Sequence, residues 1–294
     1  MNEAKREELT AGRLFVVATP IGNLADITCR AVETLRDVDA IVAEDSRHSR
    51  RLLDHYDIET PFTLSYYQGA GEERRGEIVS KLHGGQDLAL ISDAGTPLIS
   101  DPGFKLVRRA REEGIRIIGI PGPSAVVTCL SISGQPTDSF VFSGQAPKKK
   151  NKKRKFLESL RTRRETTVFY DSPHRVEDTL EILTEVLPNR SITVCRELTK
   201  EYEQALKGTA RKVLKRLQSS DEGEKLRGEF TVAVRGASQE EIARAKQEKY
   251  GDIPIEQQFE GLKKFKNLSR KEAMKELAEI RGLSKREIYD ALHK

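Results

Sequence analysis

The sequence is poor in the residues that build disulfide frameworks and metal sites. It contains only three cysteines, Cys29, Cys129 and Cys195, which lie far apart, and five histidines that do not cluster. No Cys-x-x-Cys pair and no Cys/His cluster occurs, so we expect neither a disulfide framework nor a bound metal. Few, widely separated cysteines are typical of a protein in a reducing compartment.

Long hydrophobic stretches are also missing. No apolar run approaches the roughly 18 residues that a membrane-spanning helix needs. The first residues, MNEAKREELTAG, are charged and lack the apolar core of a signal peptide. These absences favour a cytoplasmic protein without a membrane partner.

Two common phosphate-binding signatures are absent as well. The sequence has no G-x-x-x-x-G-K-[ST] loop, and TPIGN stands after the first strand candidate where G-x-G-x-x-G would be expected. A Walker-type site and a dinucleotide fingerprint are therefore excluded.

The first half of the chain instead alternates short apolar runs with amphipathic stretches. Near-continuous apolar strands separated by helices predict an α/β fold whose mainly parallel sheet is covered on both faces. A polar, turn-rich segment at residues 134–140 predicts a boundary, after which a second α/β unit follows. The five strand candidates of the first unit are residues 14–19, 40–43, 62–67, 88–92 and 115–120.

We therefore divide the chain into an N-terminal extension, two α/β domains, a linker and a small helical unit. The helical unit contains two pairs with the spacing of capping boxes: Ser269 with Glu272, and Ser284 with Glu287. In a capping box, the side chain of each residue accepts a hydrogen bond from the backbone N–H group of the other. These two helices either pack as a plain hairpin or contact nucleic acid. The predicted boundaries are 1–11, 12–136, 137–236, 237–251 and 252–294.

One strand candidate ends in an acidic, turn-rich loop, LALISDAGTPLISDPG, at residues 88–103. Loops at the carboxyl edge of an open α/β sheet bind ligands. Gly95 allows a ligand to approach the backbone closely, whereas carboxylates without a lysine disfavour phosphate. The loop suits a ligand with hydroxyls, an amine or a positively charged sulfur. The alternative is a rigid turn in which Asp93 and Asp101 only cap helices.

Three further loops follow strand candidates and should converge on the same cleft, since parallel strands end on one side. They are ATPIGN, AEDSRH and IPGPSA, at residues 18–23, 43–48 and 120–125. The second loop contains ionisable side chains that suit acid–base catalysis, or that form a network at the start of a helix. These side chains are Glu44, Asp45, Arg47 and His48.

Residues 148–155 read KKKNKKRK, in a chain whose net charge is +5. The run predicts contacts with a phosphate backbone, which position a nucleic acid without reading its sequence. The alternative is a solvated charged face. The basic residues are Lys148, Lys149, Lys150, Lys152, Lys153, Arg154 and Lys155.

Together, six segments resemble a known family. LFVVATPIGNLADIT, AEDSRH, LISDAGTPLISDPG, IPGPSA, FYDSPHR and CRELTKEYE occur in this order between residues 12 and 236. They resemble the ribosomal RNA small subunit methyltransferase I family, within the tetrapyrrole methylase-like superfamily. The resemblance implies two α/β domains with S-adenosyl-methionine in the cleft between them, a homodimer, and 2′-O-methylation of a cytidine in the decoding region of 16S rRNA.

The resemblance also implies roles for individual residues. AEDSRH would face the RNA, with Asp45 or Glu44 as the base and Arg47 orienting the sugar–phosphate. Two alternatives stay open: a corrin-type tetrapyrrole methyltransferase of the same superfamily, and an RNA-binding protein whose cleft has lost catalysis. The implied cofactor contacts are Pro20, Asp93, Ala94, Gly95, Thr96, Ser124, Ala125, Tyr170 and Ser172, together with Glu229.

Overall fold

The computed structural model describes residues 11–220, 226–250 and 252–293, which form two α/β units and a helical tail. No helix in these ranges is both long and apolar enough to cross a membrane. The N-terminal extension, residues 1–11, lies almost wholly outside the described residues.

The first unit contains a fully parallel sheet in the order β3-β2-β4-β1-β5. Every residue of the central β2 and β4 is buried, which is why their sequences are apolar without alternation. The predicted α/β architecture is confirmed. The strands are β1 (Arg13–Val17), β2 (Ala40–Ala43), β3 (Phe62–Ser65), β4 (Leu88–Ile91) and β5 (Arg116–Ile120).

Four helices cover the two faces of this sheet. They are α1 (Cys29–Asp37), α2 (Ser46–His55), α3 (Glu72–His83) and α4 (Phe104–Glu112), and a short 3-10 helix, Leu24–Asp26, precedes α1. Leu35 of α1 and Leu53 of α2 share one buried cluster, whereas Leu82 of α3 and Leu106 of α4 belong to the other. The sequence pattern did not identify α2, because its only large apolar residues are the adjacent Leu52 and Leu53, which give no helical period.

Helix α5 (Ala125–Ser133) leaves the first unit and packs against the second sheet. Val126 and Cys129 lie in one buried cluster with Val168 and Cys195 of that sheet. Nearly every residue of α5 is apolar or small, so it lacks the polar face that makes a helix recognisable in sequence. The predicted boundary at residue 136 therefore follows a segment that already contacts the second unit.

The second sheet is mixed, in the order β6-β7-β10-β8-β9, and of its strand pairs only β6 and β7 run parallel among the described residues. α5 covers one face of this sheet. The other face is covered by three helices that follow along the chain: α6 (Lys150–Ser159), α7 (Val176–Val186) and α8 (Ala210–Ser220). The strands are β6 (Phe140–Gln145), β7 (Thr166–Asp171), β8 (Ser191–Arg196), β9 (Gln204–Thr209) and β10 (Phe230–Val234).

The segment assigned above as a linker contains a helix, α9 (Gln239–Tyr250), that is bonded at both ends. The buried guanidinium of Arg190 pairs with Glu241 of α9 at 3.0 Å and ties it to the second unit. At the other end, Lys246 of α9 donates to the carbonyl of Glu279 in the tail.

The tail consists of α10 (Ile255–Lys266), α11 (Arg270–Arg281) and α12 (Lys285–Leu292) around a small core of its own. Both predicted capping boxes are confirmed: Ser269 and Glu272 cap α11, and Ser284 and Glu287 cap α12.

Candidate active site

A cavity of about 340 Å³ lies between the carboxyl edge of the first sheet and the second sheet. Loops after β1, β2, β4 and β5 supply one side, and the ends of β6, β7 and β8 and the start of β10 supply the other. Its lining is Ile21, Glu44, Asp93, Ala94, Gly95, Thr96, Ile99, Ser100, Asp101, Ser124, Ala125, Gln145, Tyr170, Asp171, Leu198, Glu229, Phe230 and Thr231.

Two backbone hydrogen bonds join the loop after β1 to the loop after β4. Thr19 N donates to Gly95 O at 2.9 Å, and Gly95 N donates to Thr19 O at 3.0 Å. Gly95 has φ of 82°, and a Cβ atom there would lie 3.3 Å from Cγ2 of Ile21. Glycine is therefore needed both for the backbone conformation and for the close approach of Ile21.

The rest of the loop after β4 is strained. Leu98 and Ser100 have φ of 74° and 69°, in the left-handed region that side chains disfavour. This turn brings Ile99, Ser100 and Asp101 into the lining. Asp101 belongs to the same acidic loop as Asp93, where it was expected either as a ligand-binding carboxylate or as a helix cap, but it was not among the implied cofactor contacts.

Three half-buried carboxylates, Glu44, Asp93 and Asp101, line the cavity together. Burial raises the pKa of Glu44 above its usual value, and the charges of Asp101 and Asp93 raise it further. Burial likewise raises the pKa of Asp101. Within the described part of the chain, no lysine or arginine lines this cavity to neutralise the three acids.

Asp45 is adjacent to Glu44 in sequence but has a different environment. Its carboxylate accepts hydrogen bonds from the backbone and guanidinium N–H groups of Arg47, which lower its pKa to about 2. It thereby caps α2, as the structural alternative above described. Asp45, Arg47 and His48 are not among the lining residues, and the backbone N–H of Asp45 donates to Oδ1 of Asp93 at 3.2 Å.

The second unit contributes Tyr170 and Glu229 to the lining, as well as Gln145, Asp171, Leu198, Phe230 and Thr231, which the sequence analysis missed. Burial, followed by the charges of Asp101 and Glu229, raises the pKa of Tyr170 to about 12. The five missed residues come from strand ends and one loop. They line the cavity only because of the way in which the two sheets pack.

Pro20 and Ser172 do not line the cavity, but each adjoins a residue that does. Ile21, which follows Pro20, and Asp171, which precedes Ser172, line the cavity instead. Asp171 accepts hydrogen bonds from the backbone N–H of Ser172 at 2.8 Å and from the hydroxyl of Thr179 at 2.5 Å. Ser172 Oγ is buried and has no hydrogen-bond partner among the described residues.

The basic run lies outside the cavity, around the start of α6. Lys153 is buried, and its Nζ donates to the carbonyl of Arg175 at 3.2 Å, which removes it from any RNA-binding surface. This corrects the expectation for Lys153, since helical spacing turns it inward. Arg154 is half-buried and pairs with Glu185. The exposed cations of the run are Lys148, Lys149, Lys150, Lys152 and Lys155.

The residues of the cavity fit S-adenosyl-methionine. Its volume falls in the usual range for small-molecule sites, about 300–1,000 Å³. Glu44, Asp93 and Asp101, which have no lysine or arginine beside them in the described lining, favour a positively charged sulfur, and the turn at Gly95 leaves backbone groups beside it. Residues that can hold the ligand are Asp93, Ala94, Gly95, Thr96, Ser124, Ala125 and Tyr170.

Comparison with known proteins identifies relatives along nearly the whole chain. Residues 13–214 match the family described as Tetrapyrrole (Corrin/Porphyrin) Methylases. Proteins named "Ribosomal RNA small subunit methyltransferase I" from Halalkalibacterium halodurans and Bacillus subtilis are 41% and 40% identical. The alignments cover 96% of this chain in both cases and 95% and 94% of the relatives.

Solved structures share the fold at low sequence identity. Diphthine synthase is 14% identical with a TM-score of 0.59, over 84% of this chain and 98% of its own. Uroporphyrin-III-C-methyltransferase from Thermus thermophilus is 18% identical with a TM-score of 0.53, over 76% and 94%. These likenesses establish the fold alone.

We expect Gly95→Ala to weaken the binding of S-adenosyl-methionine about tenfold, measured by calorimetry. An L-residue in the left-handed conformation costs roughly 1–2 kcal/mol, and the new methyl group would contact Ile21. Gly114→Ala is a matched control, because Gly114 also has positive φ, lies away from the cavity and has open space around it. Equal affinity in wild-type protein and Gly95→Ala would refute the role of this loop.

Proposed function

The chain belongs to the tetrapyrrole (corrin/porphyrin) methylase family and, within it, to the ribosomal RNA small subunit methyltransferase I family, and on this premise we propose that it methylates the ribose 2′-oxygen of a cytidine in the decoding region of 16S rRNA. It is a methyltransferase that uses S-adenosyl-methionine, and its substrate is rRNA. The observation that carries the finer proposal is Glu44, a carboxylate with a raised pKa in the same cavity as the Gly95 loop.

A ribose hydroxyl is a weak acid, so its methylation needs a proton acceptor within hydrogen-bond reach. When bound, S-adenosyl-methionine supplies a methyl group on a positively charged sulfur. Glu44 accepts the proton of the 2′-hydroxyl as that oxygen acquires the methyl group. Its raised pKa makes it a better proton acceptor than Asp45, whose carboxylate is bonded to Arg47.

The remaining lining residues orient the two reactants. Tyr170 keeps its hydroxyl proton even at alkaline pH, because its pKa is raised to about 12, and its hydroxyl serves as a hydrogen-bond donor to the reactants. At the rim, Arg47 has a side chain that is 90% exposed, and it orients the sugar–phosphate of the target nucleotide. Alignment of the 2′-oxygen by these contacts contributes much of the rate.

The first test is transfer of a labelled methyl group from S-adenosyl-methionine to small ribosomal subunits that lack the modification. Nuclease digestion and mass spectrometry should yield one 2′-O-methylcytidine from the decoding region. Methylation of another nucleotide or of a base would contradict the finer proposal. Transfer to a tetrapyrrole, with none to subunits, would favour the small-molecule alternative.

The second prediction concerns pH. Glu44 must be deprotonated to accept a proton, so kcat/KM falls as the pH is lowered through its raised pKa. Asp101→Asn removes a negative charge that raises the pKa of Glu44, and should therefore move this acid limb to lower pH. Glu44→Gln should lower kcat by about 10²–10⁴-fold. An acid limb that stays in place or moves to higher pH in Asp101→Asn would exclude Glu44 as the base.

The exposed lysines around the start of α6 bind the RNA backbone. Changing Lys148, Lys149, Lys150, Lys152 and Lys155 to Gln should weaken RNA binding at low salt and reduce the slope of log K against log salt by about three to four. A control for net charge changes three exposed cations of α8 to Gln: Arg211, Lys212 and Lys215. An equal loss of slope per charge in both variants would indicate a non-specific charge effect.

The protein acts as a cytoplasmic homodimer whose contact includes the outward face of α5. Val127 and Ile132 of this helix are 60% and 45% exposed. Exposed apolar side chains at neighbouring positions mark an interaction surface. Sedimentation velocity should show a dimer for the wild-type protein and a monomer for Val127→Glu.

A further inference from the structure

A second cavity, of about 500 Å³, adjoins the candidate active site. The turn between β3 and α3 forms one wall, and the start of α4 forms the other. Asp101 lines both cavities, so this groove continues directly from the cleft that contains Glu44. We call it the aromatic groove, after the two rings described next.

Tyr67 and Phe104 both line the aromatic groove, and they are 57% and 66% exposed. Neither ring contacts another aromatic ring or a cation among the described residues. Their neighbours in sequence differ sharply, since Tyr66 and Gly103 are buried. The fold therefore anchors the backbone on each side and leaves both rings in solvent.

The backbone that carries these rings is bonded to the active-site strands. Tyr66 N donates to the carbonyl of Ala43, the residue before Glu44, at 2.8 Å. Nη1 of Arg75 donates to the carbonyl of Ala70 at 2.7 Å and braces the same turn. On the other wall, Phe104 follows Asp101 by three residues. The backbone that carries both rings is thus close to the proposed proton acceptor and tied to the strands around it.

The aromatic groove has room for a planar ligand and carries charges of both signs: Lys105 and Arg75 line it together with Asp101, and Arg75 is paired with Glu72. A Cβ atom at Gly69 or Gly71 would meet no atom within 4 Å, so the space above this wall is open. Lys105 is exposed and forms no ion pair with any residue that the structure describes. An ammonium beside two exposed rings suits a nucleotide, whose base stacks while its phosphate meets the lysine.

We propose that Tyr67 and Phe104 form a base-stacking subsite that holds an unpaired RNA nucleotide next to the one whose 2′-oxygen enters the cleft. This inference rests on the proposed rRNA methylation. A 2′-hydroxyl reaches an enclosed cleft when its nucleotide leaves the helical stack, and the neighbouring base then loses a stacking partner. The rings of the aromatic groove replace that partner, and Lys105 contacts the adjoining phosphate.

The subsite can be tested with a single-stranded oligoribonucleotide containing 2-aminopurine, whose fluorescence is quenched by stacking. The chain has no tryptophan, so the protein contributes little background. Quenching should occur with the wild-type protein and with Tyr67→Phe, which keeps the ring. It should be lost with Tyr67→Leu/Phe104→Leu, which keeps apolar bulk without a ring. Equal quenching by the double variant would overturn the proposal.

Steady-state kinetics on small subunits supply the second measurement. Each single Leu variant should raise KM about tenfold, with little change in kcat and none in the affinity for S-adenosyl-methionine. Phe265→Ala is a control for the loss of an exposed ring, because Phe265 is 86% exposed on α10 and lines neither cavity. An equal rise in KM for Phe265→Ala would also overturn the proposal.

The two measurements separate the failure of this inference from the failure of the proposed function. If the wild-type protein methylates subunits and the Leu variants have unchanged KM, the subsite is wrong and the function stands. If the wild-type protein quenches the oligoribonucleotide but transfers no methyl group to subunits, the rings still stack an RNA base and the proposed function is wrong. A higher KM for subunits without loss of quenching would indicate that the groove binds a ribosomal protein, against the proposal.

Discussion

The pair of backbone hydrogen bonds between Thr19 and Gly95 determines the shape of the cleft. β1 and β4 are neighbours in the sheet, with Val16 opposite Leu90, so their loops leave the carboxyl edge side by side. The two bonds keep these loops together where the strands end, and the buried hydroxyl of Thr19 adds a bond to the carbonyl of Ser92 at 3.2 Å. The φ of 82° at Gly95 then turns the chain across the cavity.

The second constraint is electrostatic. Three half-buried carboxylates share the cavity without a neighbouring cation in its described lining, which costs free energy in the absence of a ligand. A positively charged ligand relieves part of this repulsion. Burial raises the pKa of Glu44, and the same repulsion from Asp101 and Asp93 raises it further. The exposed lysines around the start of α6 lie outside the cavity, where they attract a polyanion without neutralising the acids. The cations that we propose bind RNA are thus separated in space from the acids of the cavity.

The third constraint is the packing of the two sheets. α5 begins directly after Ser124, which lines the cavity, and it packs on β10 and β7, whose ends supply Phe230 and Tyr170. A single helix therefore links both walls. The same helix is buried on one side and exposes Val127 and Ile132 on the other.

Local periodicity, turn residues and caps were enough to predict the α/β units, the convergence of four loops and the two capped tail helices. Tertiary structure alone distinguished Glu44 from Asp45, since two adjacent carboxylates differ only in what surrounds them. It also turned Lys153 inward, brought Asp101 and Thr231 into the lining, packed α5 on the second sheet and opened the aromatic groove beside the cleft. Each of these depends on contacts between residues far apart in the chain, which no local pattern records.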